Sequence, residues 1–158
     1  MSLMRYFTRA WVDGDLTEEE SDTVVRVYRR HLEVIASRLP PGVLELSQRW
    51  SLNDALFKIV QFDHVNQQLL LRLRCGELQY GYYDLSLHYT GATVIDHTPY
   101  RLSGLVATAG VEVLYDEIDV TGDDRFEQRM ILWPSGEFAV SCERFAFSLV
   151  PVASRDAP

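Results

Sequence analysis

Two hydrophobic periods divide this chain. Over residues 17–39 the apolar side chains Val24, Tyr28, Leu32, Ile35 and Leu39 recur at helical spacing, with Arg26, Arg30, Glu33 and Ser37 on the opposite stripe. Thr17 and Glu20 have capping-box spacing, and Glu18, Glu19 and Glu20 suit the positive end of a helix dipole. Pro40-Pro41-Gly42 ends the run, because neither proline can donate to a helix and the residue before a proline avoids helical angles. One long amphipathic helix is expected over 17–39, laying a single face on something. His31, beside the stripe, reads as a buried or half-buried structural histidine. Residues 42–50 put Val43, Leu46 and Trp50 on one face and predict a short second helix.

From Leu52 onward the period is two. Strands are expected at 55–63, 67–75, 80–90, 92–96, 111–120, 125–133, 137–142 and 145–151. Leu71 and Leu73 share a parity with Leu85 and Leu87, which demands an odd-length loop around Gly76-Glu77-Leu78. Pro134-Ser135-Gly136 reads as a three-residue hairpin loop with glycine in the left-handed position. It would pair Leu132 with Phe138 and Met130 with Val140, and on the outer face Trp133 with Glu137 and Ile131 with Ala139. The apolar phase slips after Cys142, so a bulge or turn is expected near Glu143-Arg144. It breaks again at Asp116-Glu117, where a bulge could aim a carboxylate into a cleft. An edge bulge that blocks aggregation would leave the same signature. Residues 97–110 have no period and read as the longest loop, the natural place for mobility or function. The tail, 152–158, is expected to fray. Met1-Ser2-Leu3 ahead of Met4 looks like an expression scar and is given no part in the fold.

These elements predict one domain over 1–158, with a helical part at 1–50 and an antiparallel sheet part at 51–151. The fold class is α+β. A long N-terminal helix packs on seven or eight strands curled into a sandwich or partial barrel, around one core.

Composition changes the picture mainly by exclusion. The 158 residues carry 23 acidic and 15 basic side chains, a net charge of −8, which argues against nucleic acid as a partner. There is no run of apolar residues long enough for a membrane span and no signal-peptide pattern, so a cytoplasmic location is expected. Cys75 and Cys142 make neither a disulfide framework nor a zinc site, and both fall on apolar faces. All but one of the basic residues are arginine, Lys58 being the exception, a usage that fits codon bias better than a phosphate site. No phosphate loop, nucleophile elbow, His-Glu-x-x-His or Cys-x-x-Cys is present, so no catalytic residue, metal or cofactor is assigned.

The charge is uneven. Residues 1–50 are nearly neutral, and seven acids crowd into 112–127 with Arg125 as the only base among them. Glu112, Asp116, Glu117, Asp119, Asp123, Asp124 and Glu127, with Tyr115 and Asp54, form the candidate binding surface, facing a basic protein partner. The structural alternative is a solvated hairpin turn at Asp119–Asp124, where Thr121-Gly122-Asp123-Asp124 is ordinary turn chemistry, with Asp54 capping a turn. A second polar patch joins Arg72 and Arg74 to Asp84 and His88 on the neighbouring strand, on the side away from the leucines. A salt-bridged, solvent-facing sheet surface is the reading preferred here over an anion site.

Three segments resemble a bacterial family of uncharacterised domains. They are the opening Met4-Arg5-Tyr6-Phe7-Thr8 with Trp11, the motif Ser51-Leu52-Asn53-Asp54-Ala55, and the strand Leu114-Tyr115-Asp116-Glu117-Ile118 with a following strand like Arg129 to Leu132. Family members often carry a histidine where this chain has Asn53. The resemblance brings no known activity with it. Sheet-and-helix domains of this kind are also similar to small bacterial immunity proteins.

Three functions follow as expectations. The first is a non-catalytic interaction domain of immunity or accessory type, presenting the acidic surface. The second is a small-ligand binder with a Tyr-, Trp- and Phe-lined cavity between sheet and helix. The third is an enzyme using Asp54, Asp116, Glu117 or His88, which would have to converge in one cleft.

Overall fold

A computed structural model describes residues 2–95, 99–108 and 110–158. In chain order the elements are α1 (Arg9–Val12), α2 (Glu18–Ile35) running on into a 3-10 turn (Ala36–Arg38), α3 (Val43–Arg49), β1 (Ala55–Asp63), β2 (Gln68–Glu77), β3 (Gly81–Thr90), β4 (Thr93–Ile95), α4 (Pro99–Ala107), β5 (Glu112–Val120), β6 (Phe126–Trp133), β7 (Glu137–Cys142) and β8 (Arg144–Val152). The fold is α+β. Among the described residues eight strands belong to one antiparallel sheet in the order β4-β7-β6-β5-β1-β2-β3-β8.

The sheet curls without closing. Only Glu143 separates β7 from β8, although the two strands lie near opposite ends of the order. The Glu143 N–H donates to the Thr90 carbonyl, and the rings of Phe126 on β6 and Phe145 on β8 are 5.0 Å apart. The phase slip after Cys142 is thus a change of partner strand rather than a bulge. The result is a partial barrel. Its concave face carries the main core, including Leu71, Leu73, Leu85, Leu87, Met130, Phe138 and Val140.

α2 packs as its pattern requires. Thr17 Oγ1 accepts from the Glu20 N–H at 3.2 Å, the stripe from Val24 to Ile35 is covered, and Arg26, Arg30 and Glu33 are exposed. The β2–β3 hairpin has the required odd loop, Leu78–Tyr80, between paired Glu77 and Gly81, two residues later than its expected centre. Gly76 pairs with Tyr82 there at φ +104°, and a Cβ on it would stand 2.1 Å from the Gly81 carbonyl oxygen.

Several expectations are corrected. Met130 pairs with Phe138, Gln128 with Val140, Ile131 with Glu137 and Arg129 with Ala139, a register two residues from the expected one. Trp133 leaves β7 and pairs with Glu112 instead, and the Leu132 N–H closes the loop onto the Gly136 carbonyl at 2.9 Å. A shift of two preserves the faces, so the core assignment is unaffected. The outer face, however, is not open to solvent. Ile131 and Ala139 are buried, and Met4 and Phe7 pack on Ile131 in a second cluster with Trp11, Val24, Tyr28 and Tyr115 around it. There are therefore two cores. Ser2 and Leu3, set aside as a scar, bond to the Glu137 carboxylate at 2.7 and 2.8 Å.

The segment 97–110 holds a helix, α4, whose Leu102 is fully buried in the main core; His97, Thr98 and Ala109 lie outside the described residues. The tail is held rather than frayed. Arg74 Nη1 donates to the carbonyls of Ser154, Arg155 and Ala157 at 3.3, 3.0 and 2.8 Å.

Candidate functional site

The sheet's weakest seam creates the site. β1 pairs with β5 only at Ala55–Val113 and Leu56–Glu112, because β1 begins at Ala55 while β5 runs on past it. Beyond Val113 that edge of β5 has no strand partner, and an unpaired buried N–H needs another acceptor. Tyr28 on α2 supplies one, its hydroxyl oxygen accepting from the Ile118 N–H at 2.9 Å. α2, α3 and residues 50–53 close over the gap and leave a cleft of about 320 Å³. Phe7, Tyr28, Leu32, Leu46 and Trp50 supply apolar wall, Asn53 and Arg49 stand at it, and Asp116 is its carboxylate.

A bulge aims that carboxylate. It lies between Val113 and Tyr115, slightly before the expected Asp116-Glu117 break. After it, Asp116 pairs with Met130 and Ile118 with Gln128, so Asp116 shares the concave face with core residues. Gln128 Nε2 donates to Asp116 Oδ2 at 2.9 Å, and the Tyr89 hydroxyl donates to Gln128 Oε1. The tyrosine proton fixes which end of the Gln128 amide faces Asp116. Burial pushes the Asp116 carboxyl up to about 6, with the nearby Glu117 charge adding to the rise. Burial also raises Tyr28 and Tyr89 well above the ordinary tyrosine value, so both stay neutral.

The neighbouring acids do something else. Glu117 and Asp119 point to the opposite face and are buried there. Glu117 accepts the backbone N–H groups of Arg5 and Tyr6, each at 2.7 Å, and of Phe7 at 3.4 Å. Arg129 spans Glu117, Asp119 and Glu127 at 3.2, 3.0 and 2.8 Å. Asp119 also meets His31 Nε2 at 3.0 Å and Arg5 at 3.3 Å. Burial alone would raise Asp119, but the Val120 N–H, Arg129 and His31 hold it below the usual carboxylate value. This network straps residues 2–8 across β5 and β6. Tyr115 stacks edge-on to Trp11 at 4.7 Å within it.

The rest of the candidate surface is scattered. Glu112 pairs with Arg155 at 2.6 Å, and Asp124, at φ +58° in the Thr121–Arg125 turn, pairs with Arg38 at 2.7 Å. Asp123 is exposed beside it. Asp54 sits in a left-handed turn at φ +61° and lines a separate hollow with Tyr80, Tyr82, Tyr83 and Arg155. Its side chain makes no capping bond among the described residues. Asp116 in the cleft, Glu117 under the strap and Asp54 in the other hollow do not converge, nor does His88, exposed on β3.

The second patch shares one face of β2 and β3, as expected, but it is not solvent-facing throughout, because Arg74 is buried under the tail. Arg74 faces Asp84 and Arg72 faces Ser86. Arg74 makes a two-pronged pair with Asp84 and spends its remaining donors on the tail, so its guanidinium is used up within the fold. Cys75 and Cys142 are free and buried, with thiols pushed up to about 12 by burial. Among the described residues no three His, Cys, Asp or Glu side chains are grouped to hold a metal ion, and no helix is long and apolar enough to cross a membrane.

Sequence reasoning missed the strap, Arg129, Gln128 and the role of α3 as a wall. The signal for Arg129 lay in its strand: Glu127, Arg129 and Ile131 alternate outward, and a charged-then-apolar outer face implies a cover. The three segments that carry the family resemblance meet in space. Phe7, Asn53 and Asp116 line one cleft, and Arg5 and Tyr6 bond to Glu117. Comparison of the chain with protein-family models, curated proteins and solved structures found no match.

Proposed function

We propose that this chain is a small-ligand-binding domain whose site is the cleft between α2, α3 and β5. The observation that carries the reading is Asp116, a carboxylate on the concave face of the sheet that opens into an aromatic-walled cavity of about 320 Å³. A concave, mostly apolar site with few placed polar groups is the general form of a small-molecule site, and a carboxyl raised by burial within it strengthens the assignment. The dispersal of Asp54, Asp116, Glu117 and His88 supports binding rather than catalysis.

The alternative, an acidic interaction surface facing a basic protein, has less to rest on. Glu112, Glu117, Asp119 and Glu127 are matched by Arg155, Arg129 and Arg5, and Asp124 by Arg38. A cytoplasmic setting is supported by two buried free thiols, which persist where glutathione keeps cysteines reduced.

The test is a ligand-observed NMR screen of small aromatic fragments against the wild type and Ser47→Trp. Ser47 is an exposed cleft residue of α3, so the substitution fills the cavity without touching Asp116. Fragments should bind the wild type and lose binding in the variant. Fragments that bind both equally would refute the cleft as the site.

A further inference from the structure

The charge pattern of the buried carboxylates narrows the ligand class. Most of the other acids buried or half-buried in the sheet have an arginine within ion-pair distance: Glu117, Asp119 and Glu127 have Arg129, Asp84 has Arg74, and Glu112 has Arg155. Glu137 is the exception, and both of its oxygens are taken by Ser2 Oγ and the Leu3 N–H. Asp116 has no arginine partner among the described residues. Its one side-chain partner is the neutral Gln128 amide on Oδ2, and its own backbone N–H also donates to the carboxylate. A half-buried carboxylate without a counter-ion is costly, and a proton or a charge supplied from outside relieves it.

The walls around it suit a positive charge. Phe7, Tyr28 and Trp50 present aromatic surface in the same cleft, and aromatic faces attract cations. The cleft's one basic lining residue, Arg49, is already committed. Its Nη1 lies 2.9 Å from Glu45 Oε1, and its guanidinium stacks 5.7 Å from the Trp50 ring. Asp116 itself is held in place, because the Tyr89–Gln128 pair fixes the amide that grips it. A ligand therefore meets a preset carboxylate in a cleft that mixes aromatic and aliphatic wall with Ser47, Gln48, Ser51 and Asn53.

We infer that the cleft is built for an organic cation, an ammonium group seated on Asp116 with its hydrocarbon part between Phe7, Tyr28 and Trp50. The inference rests on the reading of this cleft as a ligand site and specifies its ligand. It requires the charge of Asp116, whereas the broader reading requires only the cavity.

Three isosteric probes separate the two. Benzylammonium, benzyl alcohol and benzoate should be titrated into the wild type, Asp116→Asn and Ser47→Trp at pH 7.5, following Trp fluorescence and ligand-observed NMR. Asparagine keeps the shape of Asp116 and an oxygen for Gln128, so its fold is maintained. The cation should bind the wild type at least tenfold more tightly than the alcohol, with benzoate weakest. Asp116→Asn should bring cation and alcohol to within about twofold, and Ser47→Trp should weaken all three. If the alcohol or benzoate matches the cation on the wild type, or if Asp116→Asn keeps the preference, the cation assignment is overturned while the ligand site stands. If no probe of any charge binds the wild type, or if Ser47→Trp changes nothing, both readings fail.

Discussion

Glu117 on β5 and Arg129 on β6 face each other directly across the strand pair, both buried, with Arg129 Nε 3.2 Å from Glu117 Oε1. The pair is a clasp rather than a surface. Glu117 passes its charge on to the Arg5 and Tyr6 N–H groups, which ties the N-terminal segment to the outer face of the sheet. Phe7, the next residue, then forms part of the cleft wall. The clasp on one face and the cleft on the other are therefore linked through adjacent residues of β5.

Replacing Glu117 by Gln leaves the buried Arg129 short of a counter-charge and turns an amide N–H₂ toward backbone donors. Breaking a buried pair from one side costs about 3 kcal/mol or more. Urea unfolding should show that loss, and limited proteolysis should cut the freed segment before Thr8. A stability within about 0.5 kcal/mol of wild type would contradict the clasp.

Arg74 holds both Asp84 and three carbonyls of the tail with one planar fork. A lysine keeps a charge near Asp84 but cannot span that set. Arg74→Lys should cost about 1–2 kcal/mol. It should also make residues 153–158 more sensitive to carboxypeptidase than the wild-type tail, which these bonds should protect. Equal trimming of the two proteins would refute the capture of the tail.

Asp116 sets a pH dependence of definite sign. Its carboxyl is raised from 3.8 to about 6, so the native state holds this proton more tightly than the unfolded chain. Its favourable contribution is complete below about pH 4 and is lost as the pH rises through about 6, a swing of about 3 kcal/mol. Asp116→Asn does not titrate. It should gain on the wild type by an amount approaching that figure between about pH 4 and pH 7, read from urea unfolding at several pH values. Asp119 has the opposite sign: its carboxyl is held low, so its contribution is present above its unfolded value and lost as the pH falls. Asp119→Asn should flatten the acid limb.

The β2–β3 hairpin separates two glycines that look alike in sequence. Gly81, at φ +90°, has open space where a Cβ would stand, while at Gly76, at φ +104°, a Cβ would meet the Gly81 carbonyl oxygen at 2.1 Å. Gly81→Ala should cost about 1 kcal/mol from backbone strain alone. Gly76→Ala should cost several times more, measured as a fall in unfolding midpoint. Equal costs would contradict the register of this hairpin.

The periodic elements were legible because each buries one face. The helix from Thr17 and the strands β1 and β7 stand where a period of 3.6 or 2 places them, and Leu71 and Leu87 pair as their parity requires. The register of β6 and β7 was not legible, since a shift of two leaves every apolar residue on the same face. The helix α4 was hidden because its buried Leu102 is one apolar anchor in a segment without a clear stripe. The acidic run was legible as a concentration of charge and not as a division of labour. Asp116 and Glu117 are neighbours in sequence and face opposite sides of the sheet, and only the bulge before Tyr115 decides which of them enters the cleft. Arg129 was missed because a strand arginine looks solvated until the strap that covers it is known.

The most direct test of the ligand site is a crystal structure of the protein grown with benzylammonium. Electron density for the probe is expected in the cleft, its nitrogen within hydrogen-bond distance of the Asp116 carboxylate and its ring against Trp50 and Tyr28. An empty cleft at saturating probe, or density only in the hollow beside Asp54, Tyr80 and Arg155, would contradict it.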